Sequence, residues 1–402
     1  MNLRIHKAVL KGAVNAPPSK SMAHRLLIAA ALSRGTSVIR GISDCDDVKA
    51  TVKCLEALGV KIQKSDSAIT VSGVDVTAIT PQSTLDCNES GSTLRFLLPI
   101  ALLPGKNTLF YGADGLMRRP MDVYENMCRD KGYSYNADGS SIAVRGPLTA
   151  GEYEVIGNVS SQFISGLIFA LPLANGDSKI NIIPPIESRA YIDMTIEALE
   201  AFGVKVRWLD DNTIFIKGNQ KYSPTDVTVE GDYSGSAFID ALSAFGNDVS
   251  VEGLNPDSVQ GDRAYKSLFD MLKKGVPTIH LGNCPDLGPI LFAVAAAKHG
   301  GVFTGTRRLK IKESDRCAAM AEELSKFGVS VSVYDDKVVV YPIKLQAPSA
   351  ALNGHNDHRI VMALSILLTL TGGEIEGAEA VNKSYPAFFD DLKSIGAVIE
   401  EY

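Results

Sequence analysis

One pattern of residues recurs along this chain and limits its fold more than any other feature. An amphipathic helix ends at a glycine, a short β-branched strand follows, and an Asp-rich turn leads into a second strand. Three copies read CLEALGVKIQKSDSAITVSG around Gly59, MCRDKGYSYNADGSSIAVRG around Gly132 and LEAFGVKVRWLDDNTIFIKG around Gly203. ELSKFGVSVSVYDDKVVVYP around Gly328 and LKSIGAVIEEY around Gly396 continue the series, with a weaker copy, LFDMLKKGVPTIHLG, around Gly275. Each glycine suits the left-handed residue that turns a helix off into a strand. Asp-Ser, Asp-Gly and Asp-Asp suit the hairpin turns. The copies recur at about 70 residues, well beyond the roughly 20–50 of solenoid repeats, which disfavours a stacked array.

A chain of 402 residues is too long for one ordinary core and is expected to form about two domains. Three copies then fall to each. The fold class is α/β: two similar domains, each of three repeated α/β units with buried helices and outer sheets. The last copy stops at the chain end without its second strand, which the N-terminal strand is free to supply. Both termini then belong to one domain. A Gly-rich link at VEGDYSGSA (Val229 to Ala237) follows the third copy. The expected boundaries are residues 1–20 plus 231–402 for the discontinuous domain and 21–230 for the inserted one. A double-crossover hinge near Lys20 and Gly231 would join them.

The chemistry concentrates at helix starts. PPSKSMAHR, ahead of the apolar LLIAAAL, places Lys20 and Arg25 where Ser19 or Ser21 can cap a helix and its N–H groups attract an anion. ESGSTLR puts Gly91 and Arg95 in the same setting, and MRRPM fixes Arg119 ahead of Pro120. KIKESDR supplies Lys312, Glu313 and Arg316, NDHR supplies Arg359, and NKSYP supplies Lys383. Each segment alone reads as a solvated helix start. Most of them fall at one phase of the repeat, in the loop before a buried helix, so aligned helices would point their N-termini into one cleft. Such a cleft suits a ligand pair with several phosphates and carboxylates. Two carboxylates accompany the cations. Asp286 stands near a helix start after Pro285, where capping is the alternative role. Glu313 stands between Lys312 and Arg316, which favour its ionised form, and bound anions would offset that effect.

Several classes are disfavoured. The net charge of −6 opposes a general nucleic-acid or membrane-surface binder. The apolar runs Phe163 to Ala174 and Ile360 to Leu370 are too short to span a bilayer and read as helices buried on nearly all sides. The six cysteines show no C-x-x-C spacing, which disfavours zinc and a disulfide scaffold and suits a reducing cytoplasm. No signal peptide is apparent. His24, His355 and His358 lack an i, i+4 partner, so no metal is expected. The chain has no P-loop pattern and no G-x-G-x-x-G opening a helix after a strand, so a nucleotide cofactor is not expected either.

With these residues assembled, the chain resembles the 5-enolpyruvylshikimate-3-phosphate synthases, the enolpyruvyl transferases of the shikimate pathway. The resemblance runs over essentially the whole length: PPSKSMAHR, ESGSTLR, RRPMD, VSSQF, ESRAYIDMT, VEGDYSGSA, PDLGP, KIKESDR, NDHR and NKSYP, in family order. It implies two domains closing on substrates at the hinge, and transfer of the enolpyruvyl group of phosphoenolpyruvate to the 5-hydroxyl of shikimate 3-phosphate. By motif match, Lys20, Ser21, Arg25, Ser160, Ser161, Gln162, Ser188, Asp286 and Lys312 would hold shikimate 3-phosphate. Lys20, Gly91, Arg119, Gln162, Arg316, Arg359 and Lys383 would surround phosphoenolpyruvate. Asp286 would take the hydroxyl proton, and Glu313 with Lys383 or Lys20 would serve the methylene carbon. Glyphosate would occupy the phosphoenolpyruvate site beside Gly91. The resemblance also implies a cytoplasmic monomer without cofactor.

Two positions depart from the family pattern, Glu89 and Arg308, each where Asn is common. Two other readings stay open. The sister enzyme, UDP-N-acetylglucosamine enolpyruvyl transferase, usually carries a Cys on the loop that reads YGADGLMRRP here, without one. A non-catalytic anion-binding relative would have no need of both Asp286 and Glu313.

Overall fold

Five copies of the repeat end their helices with one hydrogen-bond pattern. In the computed structural model, which describes residues 1–65, 68–78 and 83–402, Gly59, Gly132, Gly203, Gly328 and Gly396 all have positive φ, between 73° and 103°. After each glycine, the next residue donates its N–H to the carbonyl five positions back. Val60 bonds Leu55, Tyr133 bonds Cys128, Val204 bonds Leu199, Val329 bonds Leu324 and Ala397 bonds Leu392, at 2.8 to 3.1 Å. Carbonyls orphaned at the helix end are thereby satisfied. A Cβ at Gly59 or Gly132 would meet nothing within 4 Å, so backbone conformation, not space, calls for glycine. The weaker copy differs. Gly275 has φ 169°, which is extended backbone, and Thr278–His280 runs straight on to pair parallel with Gly301–Thr304. It opens the next sheet instead of closing a hairpin. The Asp-Ser turn of the first copy lies outside the described residues.

Cα proximity divides the chain into Lys20–Glu230 and a unit of Met1–Ser19 with Gly231–Tyr402. The first division falls before Lys20, not after it, because Lys20 opens the helix Lys20–Leu32. Each unit has its own apolar core. Within the unit of Met1–Ser19 and Gly231–Tyr402, the segment that leaves it and the segment that returns to it are tied by an antiparallel bridge between Pro18 and Gly231. Asp232 N–H also donates to the Pro17 carbonyl at 2.7 Å.

Within Lys20–Glu230 the repeat is a strand, a buried helix, a parallel strand, an outer helix and a hairpin. Ser83–Asp86 pairs parallel with Thr108–Tyr111 around the helix Gly91–Leu102. The helix Asp122–Lys131 then leads into the hairpin Ser134–Ala137 and Ser141–Arg145, whose second arm pairs with Thr108–Tyr111. Glu152–Ile156 and Ser178–Ile183 repeat the parallel pair around Ser161–Ala170, followed by the helix Arg189–Ala201 and its hairpin. The remaining sheet is closed by the end of the unit, where Val227–Thr228 pairs parallel with Thr36–Arg40.

The other unit follows the same plan. Leu3–Ile5 lies antiparallel between Gly373–Glu376 and Ile399–Glu401, so the N-terminal strand completes the truncated last copy. Thr278–His280, Gly301–Thr304 and the hairpin Val331–Val333 with Lys337–Val340 form a second four-stranded sheet. Lys11–Asn15 and Asp248–Glu252 form a parallel ribbon. The helices Tyr233–Ala244, Gly288–Ala297 and His358–Thr371 are buried over nearly their whole length. Gly288–Ala297 is apolar on all faces, and the other two are mostly apolar, as such a position requires. Among the described residues, no helix is long and apolar enough to cross a membrane.

The topology fixes where chemistry can gather. In each repeat the two parallel strands end at the same edge of their sheet. In the four repeats whose paired strands are consecutive in the chain, the buried helix follows one strand and the outer helix follows the other, so both helices start at that edge, whereas the buried helices Lys20–Leu32 and Tyr233–Ala244 are entered from the crossovers.

Candidate active site

Lys20–Glu230 brings Gly91, Arg119 and Gln162 together at the starts of two packed helices. Ser90 caps Gly91–Leu102 by accepting from Thr93 N–H, and Ser160 caps Ser161–Ala170 by accepting from Gln162 N–H, both at 3.3 Å. The Gln162 carboxamide joins them. Its Oε1 accepts from Arg95 Nη1 at 2.9 Å, and its Nε2 donates to Ser92 Oγ at 2.9 Å. A Cβ on Gly91 would stand 2.9 Å from Arg119 Nη1, 3.5 Å from Arg95 Nη1 and 3.8 Å from Gln162 Oε1. Two guanidinium groups and the leading N–H groups of a helix therefore converge where Gly91 has no side chain, which is the composition of an anion site. Tyr124 locks the pair of helices, its hydroxyl donating to the carbonyls of Arg95 and Phe163 at 2.8 and 2.9 Å.

Lys20 and Arg25 are set differently. Lys20 Nζ lies 2.7 Å from Asp47 Oδ2, and both side chains are largely buried. Arg25 donates from Nε to Thr195 Oγ1 at 2.8 Å and from Nη2 to the Tyr191 carbonyl at 2.8 Å. Its Nη1 donates to the Ser21 carbonyl at 2.7 Å. Burial pulls its pKa down to about 10. Ser188, which precedes the Arg189–Ala201 helix, is buried with φ 58°, a strained setting for a serine. Ser161 is buried beside Gln162. The buried His24 links these helices: Nδ1 lies 2.7 Å from Thr51 Oγ1, Thr51 lies 2.7 Å from Thr93, and Thr93 donates to Ser90 Oγ at 2.7 Å. Burial first, then the charges of Lys20 and Arg25, hold its pKa well below the usual value, so the ring is neutral.

The other unit gathers Asp286, Lys312, Glu313, Arg316 and Arg359. Asp286 Oδ1 takes Arg316 Nη1 at 3.0 Å and Lys312 Nζ at 3.2 Å, and Oδ2 takes Arg359 Nη2 at 3.0 Å. Asp286 lies in the turn Pro285–Leu287, one residue ahead of the N-cap position Leu287, so its carboxylate serves cations and does not cap. Arg316 also donates to Glu313 at 2.6 Å and to Asp357 at 2.8 Å. Burial lowers its pKa, but Asp357, Glu313 and Asp286 together outweigh that and hold it above the usual arginine value. Lys312 goes the other way. Burial pulls it down to about 8 despite the attraction of Asp286, with Arg308 and Arg316 adding repulsion. Arg359 Nη1 donates to Ser234 Oγ at 2.6 Å, and Lys383 Nζ donates to the Asn356 carbonyl at 2.6 Å.

The starts of buried helices supply Lys20, Gly91, Gln162, Asp286 and Arg359. Arg119, Ser188, Lys312, Glu313 and Lys383 lie before outer helices and Arg316 opens one, which corrects the expectation that most motifs precede buried ones. The parallel pairs account for it, since both kinds of helix start at one sheet edge. Sequence reading passed over Asp47, Thr195, Ser234 and the second role of Asp357, which caps its helix through Arg359 N–H at 2.9 Å while holding Arg316. Asp357 was visible in NDHR, but a capping residue explains itself locally. Arg308, the departure from the pattern, is buried with Nη1 donating to the Gly282 carbonyl at 3.3 Å. Glu89 is half-buried.

Comparison with known proteins gives one answer. Residues 6–392 match the family model described as EPSP synthase (3-phosphoshikimate 1-carboxyvinyltransferase). The chain is similar to the 3-phosphoshikimate 1-carboxyvinyltransferases of Clostridium novyi and Clostridium beijerinckii. Each is 39% identical, with 100% of this chain and 99% of the relative covered. Two solved structures of EPSP synthase from Acinetobacter baumannii superpose with TM-scores of 0.79 and 0.80 at 22% identity, covering 100% of both chains. At that identity they speak for the fold.

Proposed function

The chain belongs to the EPSP synthase family, and from that premise we propose how its own residues carry the reaction. It is a transferase that moves the enolpyruvyl group of phosphoenolpyruvate to shikimate 3-phosphate and releases phosphate. The reaction asks both sets of side chains to serve one substrate pair. Lys20, Ser21, Arg25, Ser160, Ser161, Gln162, Ser188 and Lys312 hold shikimate 3-phosphate, with Asp286 at its 5-hydroxyl. Gly91, Arg119, Arg316, Arg359 and Lys383, with Lys20 and Gln162, hold phosphoenolpyruvate.

Asp286 takes the proton of the 5-hydroxyl as its oxygen bonds to C2 of phosphoenolpyruvate. Glu313, assisted by Lys383 or Lys20, gives a proton to C3. The tetrahedral adduct then loses a proton from C3 to Glu313 as the bond from C2 to the phosphate oxygen breaks. The observation that carries this reading is the single guanidinium of Arg316, which touches both Asp286 and Glu313. It keeps two proton carriers in register beside three cations, and those cations meet the charge that develops on the adduct. The six cysteines, buried and unpaired, fit a reducing cytoplasm.

The test is incubation of the purified protein with both substrates, reading phosphate release and the enolpyruvyl ether by NMR. Product at the 5-oxygen supports the proposal. Turnover only with a UDP-sugar acceptor, or none at all, would overturn it.

A further inference from the structure

Glu323 is fully buried on the outer helix Arg316–Lys326, away from the residues given a role above. Its carboxylate accepts from Lys326 Nζ at 3.0 and 2.8 Å and from Asn353 N–H at 2.9 Å. It also meets His355 Nε2 at 3.0 Å, which requires the proton on that nitrogen. Lys326 further donates to the Ala351 carbonyl at 3.1 Å. One ion pair thus grips residues 351–355. Glu322, Glu323 and His355 offer ligand atoms within 4.8 Å of one another. The Lys326 ammonium already supplies the positive charge such a group calls for.

The gripped segment leads directly into the site. His355 and Asn356 both adopt left-handed backbone, with φ 49° and 50°. Two consecutive residues with a Cβ persist in that region only where their surroundings over-determine it. The turn they make aims the Asn356 carbonyl at Lys383 Nζ, 2.6 Å away, and delivers Asp357 to Arg316. The helix Arg316–Lys326 therefore holds this loop at both ends, through Arg316 to Asp357 and through Glu323 to Asn353 and His355.

We propose that Glu323 is a positioning residue: its clamp on Asn353 and His355 maintains the left-handed turn that sets Lys383 for phosphoenolpyruvate. This rests on the proposed role of Lys383. Glu323→Gln keeps the shape and removes the charge that Lys326 and His355 share. In steady-state assays its KM for phosphoenolpyruvate should rise by about tenfold, because a small misplacement of a binding group is costly. Its KM for shikimate 3-phosphate should stay within about twofold, since no residue assigned to that substrate rests on the turn alone. His355→Ala should shift in the same direction, and His355→Gln, whose amide can still donate to Glu323, should recover most of the loss. A merely structural role would raise both KM values together or lower the active fraction. An unchanged KM for phosphoenolpyruvate in folded Glu323→Gln and His355→Ala would overturn the proposal. If Glu323→Gln does not fold, the two His355 variants decide it. A crystal structure of the altered protein reads the Lys383–Asn356 contact whether or not turnover occurs, so an inactive wild type would refute the proposed function and not this inference.

Discussion

Replacing Gly91 by Ala adds one methyl group whose consequences can be followed atom by atom. Gly91 is the first residue of its helix and is absent from the positive-φ glycines, so alanine fits the backbone without strain. The new Cβ would lie 2.9 Å from Arg119 Nη1, and the other two neighbours are at ordinary contact distance. Relief to an ordinary contact moves the guanidinium by about 0.5 Å. That stretches a hydrogen bond to an anion from the middle of its range to the edge. A charge-assisted hydrogen bond contributes about 1.5–3 kcal/mol, so losing half of it costs about 0.8–1.5 kcal/mol, or about four- to twelvefold in KM for phosphoenolpyruvate. Glyphosate is longer and should suffer more, so its inhibition constant should rise further than the substrate KM while remaining competitive with phosphoenolpyruvate. The KM for shikimate 3-phosphate and the thermal midpoint should hold. Because the effect passes through Arg119, it should largely vanish when measured in an Arg119→Ala background. Unchanged KM and inhibition constants in a folded Gly91→Ala protein, or an undiminished effect without Arg119, would refute the placement of Gly91 beside the anion.

Asp286→Ala and Glu313→Ala should each leave substrate binding measurable by calorimetry while lowering kcat by about two orders of magnitude or more. Near-wild-type turnover in both would remove them from proton transfer. Lys312, with its pKa pulled down to about 8, should lose its charge as pH rises through that value. The kcat/KM for shikimate 3-phosphate should then fall above about pH 8, and Lys312→Arg should move the fall upward. Stability has the opposite sign. The unfolded chain keeps this lysine protonated up to its ordinary pKa of 10.5, so the Lys312 contribution to folding should grow more favourable between about 8 and 10.5, as read from urea midpoints across pH. Gly59→Ala, at φ 91°, should destabilise by about 1 kcal/mol in urea unfolding, whereas Gly275→Ala, extended and with nothing within 4 Å, should be neutral.

The repeat carried most of the fold that could be read in advance. The glycines at 59, 132, 203, 328 and 396 each need only their own helix to satisfy the orphaned carbonyls, and all five behave alike. Gly275 lacked a following strand–turn–strand pattern, and its extended backbone agrees with that weakness. The site was legible in a different way. Cationic motifs stood out because charge at the start of an apolar helix is costly unless something uses it. Sequence alone did not separate a capping carboxylate from one that serves cations. Asp286 and Asp357 look alike in the chain. Only the second caps a helix, and both bind Arg316.

By itself, then, the chain determined what neighbours within a turn or two decide: helix ends, caps, hairpin turns and helices apolar on every face. Those choices depend on backbone groups a few residues apart, so a short window contains all the partners. Tertiary structure alone decided which charges meet. Asp286 draws its cations from positions 312, 316 and 359, Gly91 faces Arg119 and Gln162, and Leu3–Ile5 finds its sheet partners at residues 373–376 and 399–401. The physical reason is that Coulomb and hydrogen-bond energies depend on separation through space. That separation is set by which strands end at one sheet edge and which sheets pack together, and no local pattern of residues records either.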